Sequence, residues 1–168
     1  MPKPILTAEM LKQQDYHKHI IQLFQEHYPN GITKWNLEEQ IKFLKTPLRN
    51  WLSRFWHCGF LKNISMTGAD LSRLNLKGAD LTGADLTEAN LTEANLRYTY
   101  FWNADLTKAN LTGVDFTRAN LLRVNLTYAN LTGADLRYCN FTNAIFHKTI
   151  ITNAKLDPKN FYRDLLKK

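Results

Sequence analysis

Any nucleophile, general base or metal set in this chain must be drawn from a short stock. Histidine occurs at 17, 19, 27, 57 and 147, serine at 53, 65 and 72, and cysteine at 58 and 139. His17 and His19 are two residues apart, so on a helix they do not share a face. His57 and Cys58 are adjacent but have no partners at zinc-ligand spacing. No GxGxxG, no phosphate-binding GxxxxGK[ST] and no GxSxG occurs. No catalytic residue, cofactor or metal is therefore assigned, and the chain is read as a non-enzyme. The remaining chemistry lies in carboxylates, threonines, arginines and aromatics, which recur at fixed spacing.

That spacing is five. The stretch ADLTGADLTEANLTEANL, residues 79–96, carries Leu every fifth residue and Ala two places before it. The large column runs through Met66, Leu71, Leu76, Leu81, Leu86, Leu91, Leu96, Phe101, Leu106, Leu111, Phe116, Leu121, Leu126, Leu131, Leu136, Phe141, Phe146, Ile151 and Leu156 with no insertion. These are nineteen quintets, (156 − 66)/5 + 1. The small column runs from Ala69 to Ala154, relaxed to Ile64, Leu74, Thr99, Val114, Val124, Cys139 and Thr149.

A helix repeats every 3.6 residues and a strand every two, so five fits neither. Small, polar, large, polar alternates in and out as a short extended segment does. The fifth residue is again polar or Gly, which puts two outward residues in a row. A flat strand cannot carry that without turning its apolar set to the wrong face. The chain must turn a corner in each quintet. Gly78, Gly83, Gly113, Gly133, Asn103, Asn143 and Asn153 stand at that corner, where turns favour them. A chain that always turns the same way winds into a solenoid, with Leu and Ala filling the tube.

The A(D/N)LXX pattern over residues 64–156 resembles the pentapeptide-repeat family of cyanobacteria and other bacteria. The resemblance implies a right-handed quadrilateral β-helix with four quintets, about twenty residues, per coil. Nineteen quintets then make nearly five coils. The fold class expected is mainly β, with helical additions at both ends.

Exposed solenoid ends need caps. At 157–168, Asp157 suits an N-cap and Pro158 the first helical position, with Phe161, Leu165 and Leu166 apolar, so a short capping helix is expected. Residues 1–63 read as helical. One helix is expected from Thr7 to His27, ended by Pro-Asn-Gly at 29–31, and a second from Asn36 to Lys45 with Glu39 completing a capping box. A third opens at Pro47 and closes at Gly59. Its aromatic face, Trp51, Leu52, Phe55 and Trp56, is read as covering the first coil, with a docking helix as the alternative.

A twenty-residue coil stacks residue n on n + 20. Asp85 then lies on Asp105 and Asp115 on Asp135, pairs expected to stay solvated rather than bind a cation. Asn90, Asn110 and Asn130 form an amide column, and Glu88 meets Lys108. Tyr98, Arg118 and Tyr138 form an outward column, with Lys77, Arg97, Thr117 and Arg137 beside it. The next face carries Tyr100, Trp102 over Leu122, and Arg123. These two faces gather Arg and aromatics, the types enriched at protein interfaces. Their register depends on the irregular stretch Thr99–Trp102.

The net charge is +7, but it is unevenly placed. Residues 1–63 hold nine Lys/Arg and five Asp/Glu, 64–156 nine and eight, and 157–168 four and two. A near-neutral repeat lacks the basic stripe that nucleic acid wants, although aromatic and Arg side chains can stack on single strands. Some members of the family protect DNA gyrase by mimicking DNA, which requires a strongly acidic rod. The leading expectation is a non-enzymatic interaction or scaffold module with an unidentified protein partner. Nucleic-acid association or DNA mimicry is the alternative, and an ice-binding face of Thr92, Thr112 and Thr132, or of Thr87, Thr107 and Thr127, is the remote one. A monomer, or an end-to-end dimer through a terminal cap, is expected. Two distant cysteines are not a disulfide framework. With no signal-peptide pattern in MPKPILTAEMLKQQD and no apolar span of membrane length, a cytoplasmic protein that does not bind membranes is expected.

Overall fold

The computed structural model describes residues 65–158 as one continuous stretch, with Asn63, Gln22 and residues 25–29 in addition. Gln22 and residues 25–27 are helical and Tyr28 is not, while the rest of the first expected helix lies outside the described residues. The second and third expected helices lie outside the described residues. So does the capping helix beyond Pro158, which is itself helical and follows Asp157.

Residues 65–158 form a four-sided solenoid. Every pairing between coils is parallel and joins n to n + 20. One ladder runs Ser65, Asp85, Asp105, Asn125, Ile145, and three others start at Asp70, Asn75 and Asp80. Four ladders define four sides. Five levels spaced at about 4.8 Å give a rod roughly 20 Å long. Each side is held from both directions. Leu91 N–H donates to the Asn110 carbonyl at 2.8 Å, and Asn110 N–H donates to the Ala89 carbonyl at 2.9 Å. The ladder passes through the irregular stretch unbroken, with Tyr100 N–H on the Ala79 carbonyl and Phe101 N–H on that of Asn120, both at 2.8 Å.

The corners explain the period. In most quintets the small residue's N–H donates back to the carbonyl of the large residue three before it, as Ala84 does to Leu81 at 3.0 Å. Between them stands a residue with positive φ. Every fifth residue from 63 to 153 has this conformation, and fourteen of those nineteen are not glycine. Positive φ at the third turn position alone defines a type II turn. The turn bends the chain, and the next quintet repeats it.

The Asp/Asn column closes the remaining polar group of the corner. From Asp70 to Asn140, Oδ1 accepts the backbone N–H two residues on, Tyr100 being the one interruption. Only an oxygen is needed, so Asp and Asn serve equally. Where the residue after the Leu is Thr, its hydroxyl commonly donates to the same oxygen, as from Thr92 to Asn90 at 2.7 Å. This corrects the expectation of freely solvated carboxylate pairs. Asp85 and Asp105 do stack, but each turns onto its own Thr. Asn90, Asn110 and Asn130 also stack, with each Oδ1 committed to its own coil.

Inside the tube, Leu71, Leu76, Leu81, Leu86, Leu91, Leu96, Leu106, Leu111, Leu121, Leu126, Leu131 and Leu136 are buried with the small column. Phe101 and Phe116 meet edge to face at 5.6 Å, and Phe141 meets Phe146 likewise at 5.4 Å. Burial fades at the last coil, where Phe146 and Leu156 are half-buried and Ile145, Ile150 and Ile151 are exposed. Polar residues in the small column have a use the sequence did not disclose. The Thr99 and Thr149 hydroxyls donate to the Leu76 and Leu126 carbonyls of the preceding coil, at 3.0 and 2.7 Å. The Cys139 thiol lies 3.0 Å from the Phe116 carbonyl in the same relation.

Candidate functional site

Two adjacent sides and the corner between them carry the outward Arg and aromatic residues. Tyr98, Arg118 and Tyr138 occupy the corner itself, each at positive φ. The left-handed corner residue has no inward direction, so three long side chains project from one edge at successive levels. Arg118 lies between the two rings, its guanidinium carbon 5.9 Å from the Tyr98 centroid and 5.6 Å from that of Tyr138. Lys77 and Arg97 also converge on Tyr98, at 5.6 and 5.9 Å. Three cations therefore share one ring's electron-rich surroundings.

The carboxylates beside them are not evenly shared. Asp135 takes Arg137, with Nη2 at 2.7 Å from Oδ2 and Nε at 2.9 Å from Oδ1. These hydrogen bonds hold the Asp135 carboxyl below its usual range and raise the Arg137 guanidinium. Arg97 reaches Asp115 only at 3.7 Å. Among the described residues Arg118 forms no ion pair. Thr117, expected to face outward, is 8% exposed, and its hydroxyl and N–H both donate to Asp115.

The next side presents Tyr100 and Trp102, 53% and 45% exposed, with Leu122 half-buried one coil on. Arg123 is exposed at the following corner. Tyr98 and Tyr138 are 40% and 57% exposed. A groove of about 520 Å³ continues the Tyr138 end, lined by Arg137, Tyr138, Leu156, Asp157 and Pro158. The other expected cross-coil pair also forms, with Lys108 Nζ 2.9 Å from Glu88 Oε1 on a different corner. Sequence reading missed a second such rung, Arg73 to Glu93 at 2.9 Å, on the corner between that one and the Tyr98 corner. Adding twenty to each charged corner residue would have found it.

The other candidates for chemistry stay apart. Among the described residues no group of three or more His, Cys, Asp or Glu is placed to hold a metal ion. Cys139 is buried, and burial pushes its thiol up to about 12. No helix of the described residues is long and apolar enough to cross a membrane.

The repeat geometry and the match to known sequences agree. The pentapeptide-repeat family model matches in eight copies over residues 60–87, 84–121 and 125–157, more than half of the chain. The chain belongs to the pentapeptide-repeat family, and that membership carries the right-handed β-helix. Among solved structures, it is similar to a pentapeptide repeat protein from the Arabidopsis thaliana thylakoid lumen, at 36% identity and a TM-score of 0.45. That match covers 56% of this chain and 62% of that one, so less than two thirds of the relative is spanned. A pentapeptide repeat protein from Nostoc Pcc 7120 is 32% identical, with 62% of this chain and 91% of that one covered and a TM-score of 0.43. HetL, from Nostoc sp. strain PCC 7120 and involved in heterocyst differentiation regulation, is 28% identical over 54% of this chain and 56% of that one, with a TM-score of 0.31. No curated protein matches the chain.

Proposed function

We propose that this protein is a non-enzymatic interaction module whose rod displays a partner-binding surface. The surface comprises Arg97, Tyr98, Tyr100, Trp102, Arg118, Leu122, Arg123, Arg137 and Tyr138. One observation carries the reading: four large exposed aromatics, Tyr98, Tyr100, Trp102 and Tyr138, gather on two adjacent sides among arginines. Aromatic and Arg side chains are the residue types that concentrate binding energy at protein interfaces. The rod supports such a use physically. Its core is filled by side chains, so a partner meets a surface whose spacing is already set, and little ordering entropy is lost on binding.

The test is capture from native extract with the full chain as bait. A second full-length bait carries Tyr98→Thr, Trp102→Thr, Arg118→Thr and Tyr138→Thr. Threonine is already common on the outside of this rod, so the variant is expected to fold. A protein retained by the native bait and lost with the variant supports the surface. Partners retained equally by both baits move function elsewhere on the molecule. The cytoplasm is the compartment to sample, as two cysteines far apart in the sequence suit a reducing environment.

A further inference from the structure

We infer that the Tyr98–Arg118–Tyr138 corner is a carboxylate-binding clamp, and that its occupant is an extended protein segment presenting one carboxylate among apolar residues. This rests on the interaction surface proposed above and names the chemistry of its partner. Three observations carry it. Arg118 has a tyrosine on either side, its guanidinium carbon 5.9 and 5.6 Å from the two ring centroids. Arg118 is exposed, and the planar N–H fork of a guanidinium suits bidentate binding of a carboxylate. Among the described residues, no carboxylate already occupies that fork.

The charges around the clamp favour a single protein carboxylate over a polyphosphate. Lys77, Arg97, Arg118, Arg137 and Lys155 share this part of the rod with Asp115, Asp135 and Asp157, leaving an excess of two positive charges. Asp135 neutralises Arg137 at 2.7 Å, while Asp115 only approaches Arg97 at 3.7 Å. The excess therefore sits on Arg118 and Lys77, both beside Tyr98. Two fixed carboxylates on the same side repel a continuous phosphate chain, which needs an unbroken basic stripe. An isolated carboxylate avoids that repulsion. The flanking surface is apolar as well, with Trp102 and Leu122 on the next side and Leu156 and Pro158 lining the groove beyond Tyr138. A segment with one acidic residue flanked by apolar ones fits both features.

The probe is a fluorescein-labelled peptide of about ten residues with one central Glu among Leu and Ser, roughly 33 Å when extended and so long enough to span the rod. Its control replaces that Glu with Gln, and a labelled thymidine oligonucleotide of the same length is the second competitor. Anisotropy with the full chain is expected to show the Glu peptide binding at least about ten-fold tighter than the Gln peptide. Arg118→Gln is expected to remove that preference, and Arg118→Lys, which keeps charge but not the planar fork, to restore only part of it. Circular dichroism of each variant establishes that the rod is intact. Equal binding of the two peptides, no binding of the Glu peptide, a preference that survives Arg118→Gln, or tighter binding of the oligonucleotide overturns the inference. The wider surface is judged separately. If a captured protein is lost with the fourfold variant but retained by Arg118→Gln, the surface stands and the clamp fails. If no protein depends on the fourfold substitution, the surface itself fails.

Discussion

Single residues in this rod act through conformation and hydrogen bonding more than through charge. Gly133 has φ +69° and nothing within 4 Å of where a Cβ would stand. Gly133→Ala therefore tests the left-handed corner without a steric clash. It is expected to cost about 1 kcal/mol, while Gly133→Asn is close to neutral because Asn tolerates that region. Urea denaturation checks both, and an Ala variant as stable as the parent would remove backbone conformation as the reason for Gly there. Cys139 gives a second residue-level expectation. Burial holds its thiol near 12, so the reactive thiolate is scarce at neutral pH. In a Cys58→Ala chain, Cys139 should resist a thiol reagent at pH 8 and react once urea unfolds the rod. Rapid labelling in the native state would contradict its placement.

At the scale of the element, the quintet is the unit that must stay whole. Deleting 109–113 removes one quintet and leaves every Leu and Ala column in phase. Deleting 109–112 removes four residues and turns every later Leu away from the tube. The first variant should retain a cooperative thermal transition at a lower temperature, and the second should lose it. Equal behaviour of the two would mean that the period of five does not determine the fold. This period was legible because it combines two local demands, a small–polar–large alternation and a corner, and both leave marks in residue type. Fourfold closure was not legible from the residues, since nothing in one quintet counts its neighbours, and it came from the family resemblance. The Asp/Asn column was seen but read as solvated surface. Its hydrogen bond runs to backbone two residues away, and side-chain composition alone does not reveal that. Thr99, Cys139 and Thr149 looked like relaxed small positions, but two of them donate hydroxyls and one places its thiol on carbonyls of the preceding coil. The outward columns around Arg118 followed from adding twenty. How close the rings lie to the guanidinium depended on rotamers that no periodicity specifies.

For the molecule as a whole, stacked coils make stability nearly one-dimensional, because each coil touches only its neighbours. Acid acts along the entire rod. Burial pushes the Asp85 carboxyl up, but hydrogen bonds from the side chain and backbone of Thr87 and from Thr67 outweigh it, and the group sits below its usual value. Asp135 is also lowered, first by its hydrogen bond from Arg137. A carboxyl with a lower value in the folded chain binds protons more readily when unfolded. Its stabilisation is present above the unfolded value of about 3.9 and is lost as pH falls through the folded one. Thermal unfolding should be insensitive to these two groups between pH 5 and 7 and move to lower temperature below about pH 4. Asp85→Asn and Asp135→Asn keep the backbone acceptor, so each should reduce that acid sensitivity while leaving the fold intact. Hydrogen exchange tests the one-dimensional character directly. Amides donating between middle coils, such as those of Leu91, Leu96, Phe101, Leu106 and Leu111, have a coil packed on either side. Ile145 and Ile150 donate from the last described coil, where their own side chains and that of Ile151 are exposed. The middle amides should exchange slowest, with protection falling coil by coil toward residue 158. Uniform protection along the rod would instead mean that it opens as a single cooperative unit and that its last coil is as firmly held as its centre.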